Sequence, residues 1–476
     1  MSWRCMLRTS WWIGFLMCCA IQLQLAYSAL DDSELVIVVL SQPNDYHRKL
    51  AEDSTRLLIK EAEALSGMNT KPIIHLSHLD FPHVGDWTII PLIPILTDLY
   101  GSKNHWIIFA EDRTRIKLSK LIQVLNDYNK TEEYVGYSIY DHEPTIIHHY
   151  FFNDDNLENF KYPNIAAGFA ITTKLLLRLN ERLRNSKGKA DFSIDPSHEL
   201  ALFIWDEGRG VAMRHDQRFC IENSENCATY PIPFTTCDDP VPNKSIYFAV
   251  KTCLKFHGDR VPAIKNTWGK HATLVRFFSD AEDKTIPTID QRTSNPKDLC
   301  LKTTDIIRRA AEEMRELQYV RWLVIVDDDT ILSVNRLREL LSCYNHQSVI
   351  ALGERYGLNV AFSSQGYNYI TMGGGLVLSK KLVELLLEPG ACTCPEQPQP
   401  DDMYLGICLA LLGIDITHSS LFHQARPIDY SPDLLKSQPG IVSFHRYMTD
   451  VNQIYNEWFK NIDESNQFET IKHLEL

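Results

Sequence analysis

The chain has 476 residues, a length that suggests two or three domains. Of these residues 44% are hydrophobic and 23% are charged, which is the composition of a globular protein. Its formal net charge is −13 at pH 7, and no cluster of basic residues occurs along it. A nucleic-acid-binding surface needs such a cluster, so we expect no nucleic-acid partner.

The N-terminal segment predicts a targeting sequence. Arg4 and Arg8 precede the apolar run "WWIGFLMCCAIQLQLA", and small residues stand at positions 26, where the run ends, and 28. Glutamines interrupt the run, and its length is nearer that of a signal peptide than the ~20 apolar residues of a full membrane span. We expect residues 1–28 to be a signal peptide, and an uncleaved type II membrane anchor is the alternative.

Three further features agree with a secretory lumen. Asn129 and Asn243 begin N-glycosylation sequons. Nine cysteines follow residue 28, and an oxidising compartment would pair most of them and leave at least one free. The tail at 461–476 ends in "HLEL", which resembles a retrieval signal of the endoplasmic reticulum. We therefore expect a protein of the endoplasmic reticulum lumen that binds a retrieval receptor.

The chain carries one pattern twice. Residues 106–129 align without a gap onto 322–345, and each copy gives an apolar strand, an acidic turn and an amphipathic helix. The identical positions are Trp106/Trp322, Asp112/Asp328, Thr114/Thr330, Leu121/Leu337, Leu125/Leu341, Tyr128/Tyr344 and Asn129/Asn345. Two later pairs of segments match at slightly smaller offsets, namely 166–176 with 373–383 and 198–211 with 403–416. Loop insertions would produce such a change of offset.

This repeat predicts two homologous α/β domains, at 33–218 and 245–460, joined by a Cys- and Pro-rich linker at 219–244. Their strands are short and apolar on both faces and alternate with helical patterns. That pattern indicates mixed, mostly parallel sheets that are covered on both sides. In such sheets polar chemistry gathers at the carboxyl ends of strands. The triplet "DDD" at 327–329 lies at one such end, and "EDR" at 111–113 lies at its counterpart.

The aspartate triplet predicts a divalent cation site, because three adjacent carboxylates repel one another and hard oxygen ligands suit Mg²⁺ or Mn²⁺. Side chains alternate along a strand, so Asp327 and Asp329 would point to one side. Asp328 would point elsewhere, toward a ribose hydroxyl or a backbone turn. The alternative is a solvated acidic turn that caps the following helix.

Three downstream motifs favour a ligand site over a plain turn. Glycines at 373–375 allow a backbone to approach a ligand closely, although a tight turn would also use them. Asp401 and Asp402 precede an apolar helix, where they could cap its N-terminus or supply a general base. His445 follows a short apolar segment as a metal ligand or proton carrier, although a lone histidine is more often structural.

Taken together, "FAVKTC", "WLVIVDDDT", "GGG", "PDDMYLG" and "SFHRY" resemble the Fringe-like inverting β-1,3-glycosyltransferases. The resemblance implies two tandem GT-A-like domains, the first degenerate, a UDP-sugar donor and a Mn²⁺ (or Mg²⁺) cofactor. It implies Asp402 as the base, with Asp401 as the substitute. The metal ligands it implies are Asp327, Asp329 and His445. The donor-binding residues it implies are Asp328, Arg260, Trp268, Gly373, Gly374, Gly375 and Glu354.

The motifs "LGERYG" and "HSSLFHQARPIDY", with the repeated N-terminal half, most resemble members that act on thrombospondin type 1 repeats. This implies transfer of glucose from UDP-glucose to the 3-hydroxyl of O-linked fucose on folded repeats. The alternatives are a related transferase using UDP-galactose or UDP-N-acetylglucosamine, and a non-enzymatic lumenal glycoprotein-binding protein. Fringe proteins have a second histidine shortly after "LFH", where this chain has Gln424 and Ala425, so the choice of His445 over His423 stays open.

The first copy departs from the site residues of the second. Glu111 and Arg113 stand where the second copy has Asp327 and Asp329, and Ser197 stands in place of Asp402. A cationic arginine neutralises the turn internally and repels a divalent ion. We therefore expect a non-catalytic first domain that binds the acceptor protein or braces the catalytic one.

Overall fold

The computed structural model describes residues 35–465 except for 66–71, 104, 130, 149–158, 186–191, 292–297, 362, 364, 396–398 and 446–450. The predicted signal peptide or anchor and the "HLEL" end lie outside these residues. Among the described residues, no helix combines the length and apolar character needed to cross a membrane.

The strands of the first half begin with a buried apolar strand and end within the predicted linker. They are β1 (Leu35–Leu40), β2 (Ile73–Leu76), β3 (Trp106–Glu111), β4 (Thr114–Ile116), β5 (Tyr134–Gly136), β6 (Ser138–Ile139), β7 (Tyr162–Pro163), β8 (Phe169–Thr172), β9 (Phe192–Ser193), β10 (Arg214–His215) and β11 (Thr229–Pro231). The strands of the second half are β12 (Ile246–Lys251), β13 (Val275–Ser279), β14 (Thr288–Asp290), β15 (Trp322–Asp327), β16 (Thr330–Leu332), β17 (Ala351–Gly353), β18 (Arg355–Leu358), β19 (Tyr367–Ile370), β20 (Leu376–Ser379), β21 (Ile416–His418) and β22 (Ser443–His445).

The α-helices alternate with these strands. They are α1 (Asp45–Ala64), α2 (Ser77–Asp80), α3 (Leu92–Tyr100), α4 (Leu118–Asn126), α5 (Thr173–Asn185), α6 (Pro196–Trp205), α7 (Arg260–Asn266), α8 (Leu299–Glu316), α9 (Val334–Leu341), α10 (Lys380–Leu386), α11 (Asp401–Leu411), α12 (Pro432–Ser437) and α13 (Val451–Trp458). Side-chain oxygens of Asn44, Asp195, Asp298, Ser333 and Ser379 accept backbone N–H groups at the starts of α1, α6, α8, α9 and α10. These caps fix where the helices begin relative to the strands.

The two main sheets share one topology over six strands, and the second has one further edge strand, β14. The strand order is β2-β1-β3-β8-β5-β10 in the first and β14-β13-β12-β15-β20-β17-β21 in the second. In each sheet a single strand, β8 or β20, runs antiparallel to both of its neighbours. Trp106 and Trp322 are the first residues of β3 and β15. Each pairs with the first residue of the neighbouring strand, Leu35 in β1 or Ile246 in β12. The predicted α/β class with mixed, mostly parallel sheets is confirmed, whereas the domain limits stay predictions.

The apolar strands lie between helices on both faces, as their composition predicts. Val36 and Val38 face one core cluster while Ile37 and Val39 face another, so that both faces of β1 are buried. Strand β15 divides its side chains in the same way between two clusters of the second half. This double burial leaves the carboxyl ends of the strands as the place where polar side chains collect.

Part of the predicted linker belongs to the first half. Strand β11 pairs antiparallel with β4, which places Pro231 opposite Thr114. Disulfides join Cys220 to Cys227 within this segment and Cys237 to Cys343 in the second half. Two further disulfides are Cys300–Cys394 and Cys392–Cys408, and Cys253 is the free cysteine among the described residues. The expectation of mostly paired thiols with one left over is confirmed for this part of the chain.

Candidate active site

The acidic turn between β15 and β16 is held from below by a threonine. The hydroxyl of Thr330 accepts the N–H of Asp327 (3.1 Å) and donates to the carbonyl of Gly373 (2.7 Å). Thr114 makes the same two bonds in the first half, to Glu111 (3.0 Å) and Ala166 (2.9 Å). The turn is therefore a shared feature of the fold, and its chemistry depends on the residues that it presents.

Three half-buried side chains converge on the open side of this turn. Nε2 of His445 lies 3.0 Å from Asp329 Oδ1 and 3.8 Å from Asp327 Oδ2. One ligand atom from each residue lies within 4.8 Å of the others. Two carboxylates with one imidazole suit a divalent ion such as Mn²⁺ or Mg²⁺. These residues therefore fit the metal that the sequence motifs imply.

His445 is oriented by the segment around Gln424. Its Nδ1 lies 3.0 Å from the carbonyl oxygen of Gln424, to which it donates, and this leaves Nε2 to face the aspartates. The side-chain oxygen of Gln424 also accepts the N–H of Gly374 (2.8 Å). A Cβ at Gly373 would lie 2.5 Å from the His445 ring, so the first glycine of the run makes room for the imidazole. Gly375 has φ +108°, a conformation that favours glycine.

His423 does not join this group. It is buried, with its ring 4.6 Å from that of Tyr430, and burial lowers its pKa to about 4. It lines a cavity between the two halves of the chain, away from Asp327 and Asp329. The geometry thus groups His445, and not His423, with the two aspartates.

The middle aspartate of the triplet forms hydrogen bonds inside the second half. Asp328 is buried and accepts the hydroxyl of Thr252 (2.7 Å) and a guanidinium N–H of Arg260 (2.7 Å), which also contacts Asp329 (2.9 Å). Its counterpart Asp112 is likewise buried and bonds to His47 at 2.7 Å. Because both halves keep this aspartate, its contacts match a role in holding the turn to the segment that follows the first strand.

We call Asp327, Asp329 and His445 the metal group. Lys251, which the sequence analysis did not single out, connects this group to Asp401. Its Nζ lies 2.8 Å from Asp327 Oδ1 and 2.9 Å from Asp401 Oδ2, and Asp401 also accepts the hydroxyl of Thr303 (2.6 Å). Burial, the largest single cause, would raise the pKa of Asp401, but the charge of Lys251 together with the hydrogen bonds from Thr303 and Lys251 lowers that pKa overall. A lysine at the end of the otherwise apolar strand "IYFAVK" was the signal that could have revealed it.

Asp402 lies beside this ion pair in a different state. Its Oδ1 accepts the N–H of Met403 (2.7 Å) in the first turn of α11. Burial and then the charge of Asp401 raise the pKa of Asp402 to about 6. A carboxylate with a pKa near neutrality is suited to accept a proton, whereas Asp401 is already occupied by Lys251 and Thr303.

Two predicted donor-binding residues lie below or behind the open side of the turn. Trp268 has no exposed surface, and its indole N–H donates to the carbonyl of Thr330 (3.0 Å), so it supports the turn from inside the core. Glu354 lines the cavity between the halves and accepts the N–H of Gln424.

Of the sequon asparagines, Asn129 is exposed, and Asn243 is half-buried and donates to the carbonyl of His271 (2.6 Å).

The comparison with known proteins decides the family. A family model described as Fringe-like matches residues 95–195 and 241–475, one segment in each half of the chain. The chain belongs to the Fringe-like family. The resemblance stated from its motifs is thereby confirmed, and the chain is a glycosyltransferase by family.

Its relatives among characterised proteins match over most of the chain. The β-1,3-glucosyltransferase of Homo sapiens is 42% identical over 440 residues, which cover 91% of this chain and 86% of that protein. The Mus musculus protein of the same name is 41% identical with 91% and 88% covered. Lunatic fringe of Bos taurus, a β-1,3-N-acetylglucosaminyltransferase, is 28% identical over 207 residues, 39% of this chain and 54% of that protein.

The described residues of the first Fringe-like half keep the turn but not its metal-binding side chains. Glu111 and Arg113 occupy the ends of its acidic turn, and the Arg113 guanidinium donates to the carbonyl of Ile232 (2.9 Å). Leu40, which pairs with Glu111, stands in the register position of Lys251, which pairs with Asp327. Pro231, opposite Thr114, stands where His445 lies opposite Thr330. At this turn, the described residues of the first half therefore offer no equivalent of the metal group, and the possible ligands Asp141, His148 and His198 form a separate buried group.

Proposed function

We propose that this Fringe-like chain transfers glucose from UDP-glucose, with inversion, to the 3-hydroxyl of O-linked fucose on folded thrombospondin type 1 repeats. The observation that carries the proposal is the convergence of Asp327, Asp329 and His445 beside Asp402 at one sheet edge. The identity of 42% over 91% of the chain with a β-1,3-glucosyltransferase supports glucose as the donor sugar.

In the proposed reaction Asp402 is the base. Its carboxylate takes the proton from the acceptor hydroxyl as that oxygen forms a bond to C1 of glucose, while the bond from C1 to the β-phosphate oxygen breaks and UDP departs. Attack opposite the leaving group inverts the anomeric carbon. Asp401, which pairs with the Lys251 ammonium group and accepts the Thr303 hydroxyl, holds the start of α11 so that Asp402 faces the acceptor.

We infer that Mn²⁺ (or Mg²⁺) is the cofactor and that Asp327, Asp329 and His445 hold it. When bound, such an ion stabilises the negative charge that develops on the departing UDP. The carboxylates and imidazole of this chain position it, and Lys251 holds Asp327 in place for that purpose. Arg260 beside Asp329 keeps the turn compact.

We further propose that the protein works in the lumen of the endoplasmic reticulum and is returned there by a retrieval receptor. Four disulfides among the described residues support an oxidising compartment. The "HLEL" sequence supports retrieval. Imaging of a tagged chain with and without these four residues, with assay of the medium, tests this. We expect the chain that lacks them to be secreted. If that chain is retained as well as the full one, the retrieval role is contradicted.

The central experiment uses the purified chain, Mn²⁺, UDP-glucose and a folded fucosylated thrombospondin repeat, followed by mass measurement of the repeat. We expect a gain of one hexose that requires the metal and the fucose. UDP-galactose and UDP-N-acetylglucosamine serve as competing donors in parallel. Preference for either of them would replace glucose as the donor, and no gain of mass with any donor would defeat the proposed transfer.

A further inference from the structure

The hairpin formed by β18 and β19 in the second half has two chemically different faces. Tyr367 and Tyr369 alternate with Asn368 along β19, so the tyrosines point to one side and the asparagine to the other. Tyr356 lies opposite Tyr369 in the register, with ring centroids 6.0 Å apart, and the centroids of Tyr367 and Tyr369 are 6.4 Å apart. These three residues form what we call the tyrosine wall.

The tyrosine wall lies beside the proposed base. A Cβ on Gly406 of α11 would come within 2.5 Å of the Tyr369 side chain, so the helix that begins with Asp401 and Asp402 packs directly on β19. After burial, the charge of Asp402 is the next cause that raises the pKa of both Tyr367 and Tyr369, in agreement with this packing. Tyr369 is buried, whereas Tyr367 is half-exposed.

The opposite face of the hairpin is held by the first half of the chain. The indole N–H of Trp87 donates to Asn368 Oδ1 (3.0 Å), and Asn368 Nδ2 donates to the carbonyl of Val84 (2.9 Å). The guanidinium of Arg355 lies 4.4 Å above the Trp87 ring. Strand β9 of the first half also pairs antiparallel with β18, with Ser193 opposite Gly357. The catalytic half therefore shares one three-stranded sheet with its degenerate partner.

The first half's own acidic turn faces the second half across a cavity. A cavity of about 150 Å³ there is lined by Glu111, Asp112 and Arg113 together with Tyr344 and other residues of the second half. His47 bonds across this boundary to the Tyr344 hydroxyl (3.0 Å). A space of this size cannot admit a folded protein domain, so an acceptor must be received elsewhere.

We propose that the first half serves transfer by positioning the tyrosine wall, and that Tyr367 packs against the apolar face of the acceptor monosaccharide next to Asp402. The inference rests on the proposed function and deepens it by naming an acceptor-binding residue. An aromatic ring at the edge of a site offers a flat apolar surface and a hydroxyl at low entropic cost, which suits a deoxyhexose with a methyl group and several hydroxyls. Trp87 acts through Asn368 and is a positioning residue.

The first test concerns Tyr367. In Tyr367→Ala we expect the KM for the fucosylated repeat to rise about tenfold, the loss of one aromatic contact, with the KM for UDP-glucose and the hydrolysis of UDP-glucose without acceptor unchanged. Tyr367→Phe keeps the ring and should retain a KM within about threefold of wild type. Tyr319→Ala, at an exposed tyrosine before the amino end of β15, is the matched control and should change nothing.

The second test concerns the contact between the halves. Trp87→Phe keeps a ring under Arg355 but removes the N–H that Asn368 accepts, whereas Asn368→Ala removes this bond and also the bond to the Val84 carbonyl. Each should raise the acceptor KM about threefold to tenfold without changing the UDP-glucose KM, and the double variant should be no worse than Asn368→Ala.

The outcomes separate this inference from the function on which it rests. An unchanged acceptor KM in Tyr367→Ala, or an equal loss of donor affinity in any of these variants, would overturn the role of the wall while leaving the transferase in place. A wild-type chain that transfers no hexose to any fucosylated acceptor would overturn both. Thermal unfolding of each variant shows whether the chain is folded. If an alanine variant is unfolded, the conservative phenylalanine variants keep the test valid.

Discussion

His445 and Pro231 occupy the same register position in the two halves of this chain. His445 lies opposite Thr330 where β22 pairs with β16, and Pro231 lies opposite Thr114 where β11 pairs with β4. Proline has no metal-binding atom in its side chain. The degenerate half has thus kept the strand that carries the third proposed ligand but has a proline in its place, and Glu111 and Arg113 likewise replace the two aspartates of the turn.

The metal group can be tested with a matched pair of variants. We expect Asp329→Asn to lower kcat about 1000-fold and to weaken Mn²⁺ binding, because a neutral amide replaces a carboxylate that faces Nε2 of His445. Electron paramagnetic resonance of Mn²⁺ measures the binding directly. Arg113→Ala changes the counterpart position and should leave both quantities unchanged. Full Mn²⁺ affinity in Asp329→Asn would show that the ion lies elsewhere.

The pH dependence of transfer should report Asp402. Because its pKa is raised to about 6 and the base must be ionised, we expect kcat/KM to fall about tenfold per pH unit below that pKa. Asp402→Asn should abolish transfer and keep Mn²⁺ and UDP binding. A profile that stays flat down to about pH 5, or a fully active Asp402→Asn, would assign the base to another group.

The same carboxyl should cost stability at neutral pH. Its folded-state pKa lies above the ordinary value of 3.8, so the folded chain holds this proton better than the unfolded chain does. The stability that protonation contributes is full below that ordinary value and is lost as the pH rises through about 6. Asp402→Asn should therefore raise Tm at neutral pH, and calorimetry showing a lower Tm would contradict the raised pKa.

Lys251 should matter for both stability and turnover. Lys251→Met leaves Asp327 and Asp401 without their shared cation, and we expect the free energy of unfolding to fall by about 3 kcal/mol. Displacement of either carboxylate should also lower kcat about 100-fold, since small displacements of catalytic groups are costly. Leu40→Met, at the counterpart position, should have little effect on either quantity. Wild-type turnover in Lys251→Met would leave this ion pair with a purely structural role.

The disulfide between the linker and the second half should contribute more stability than the one within the linker. Cys237–Cys343 spans 106 residues and Cys220–Cys227 spans 7. Chain-entropy estimates give about 4.7 kcal/mol for a loop of the longer size and about 2 kcal/mol for the shorter. We would replace both cysteines of each disulfide by serine and measure the free energy of unfolding of the two variants in denaturant. An equal loss of stability would show that chain entropy does not set the difference.

Much of the fold could be predicted from local patterns. The apolar strands "WIIFAE" and "WLVIVD" repeat within gapless segments, and strand alternation indicated that Asp327 and Asp329 would share one side, apart from Asp328. The structure brings the first two toward His445 and turns Asp328 inward to Arg260. The predicted linker hid β11 because a three-residue strand ending in proline has no periodicity to detect.

The sequence by itself determined that two α/β halves share one topology and that only the second keeps carboxylates at both ends of its acidic turn. These features depend on the period of apolar residues and on neighbours along the chain. The tertiary structure alone decided that Lys251 joins Asp327 to Asp401, that Gln424 orients His445, and that Asp402 is left with a raised pKa. Desolvation and ion pairing depend on groups that are distant in sequence, and only the packed chain brings those groups together.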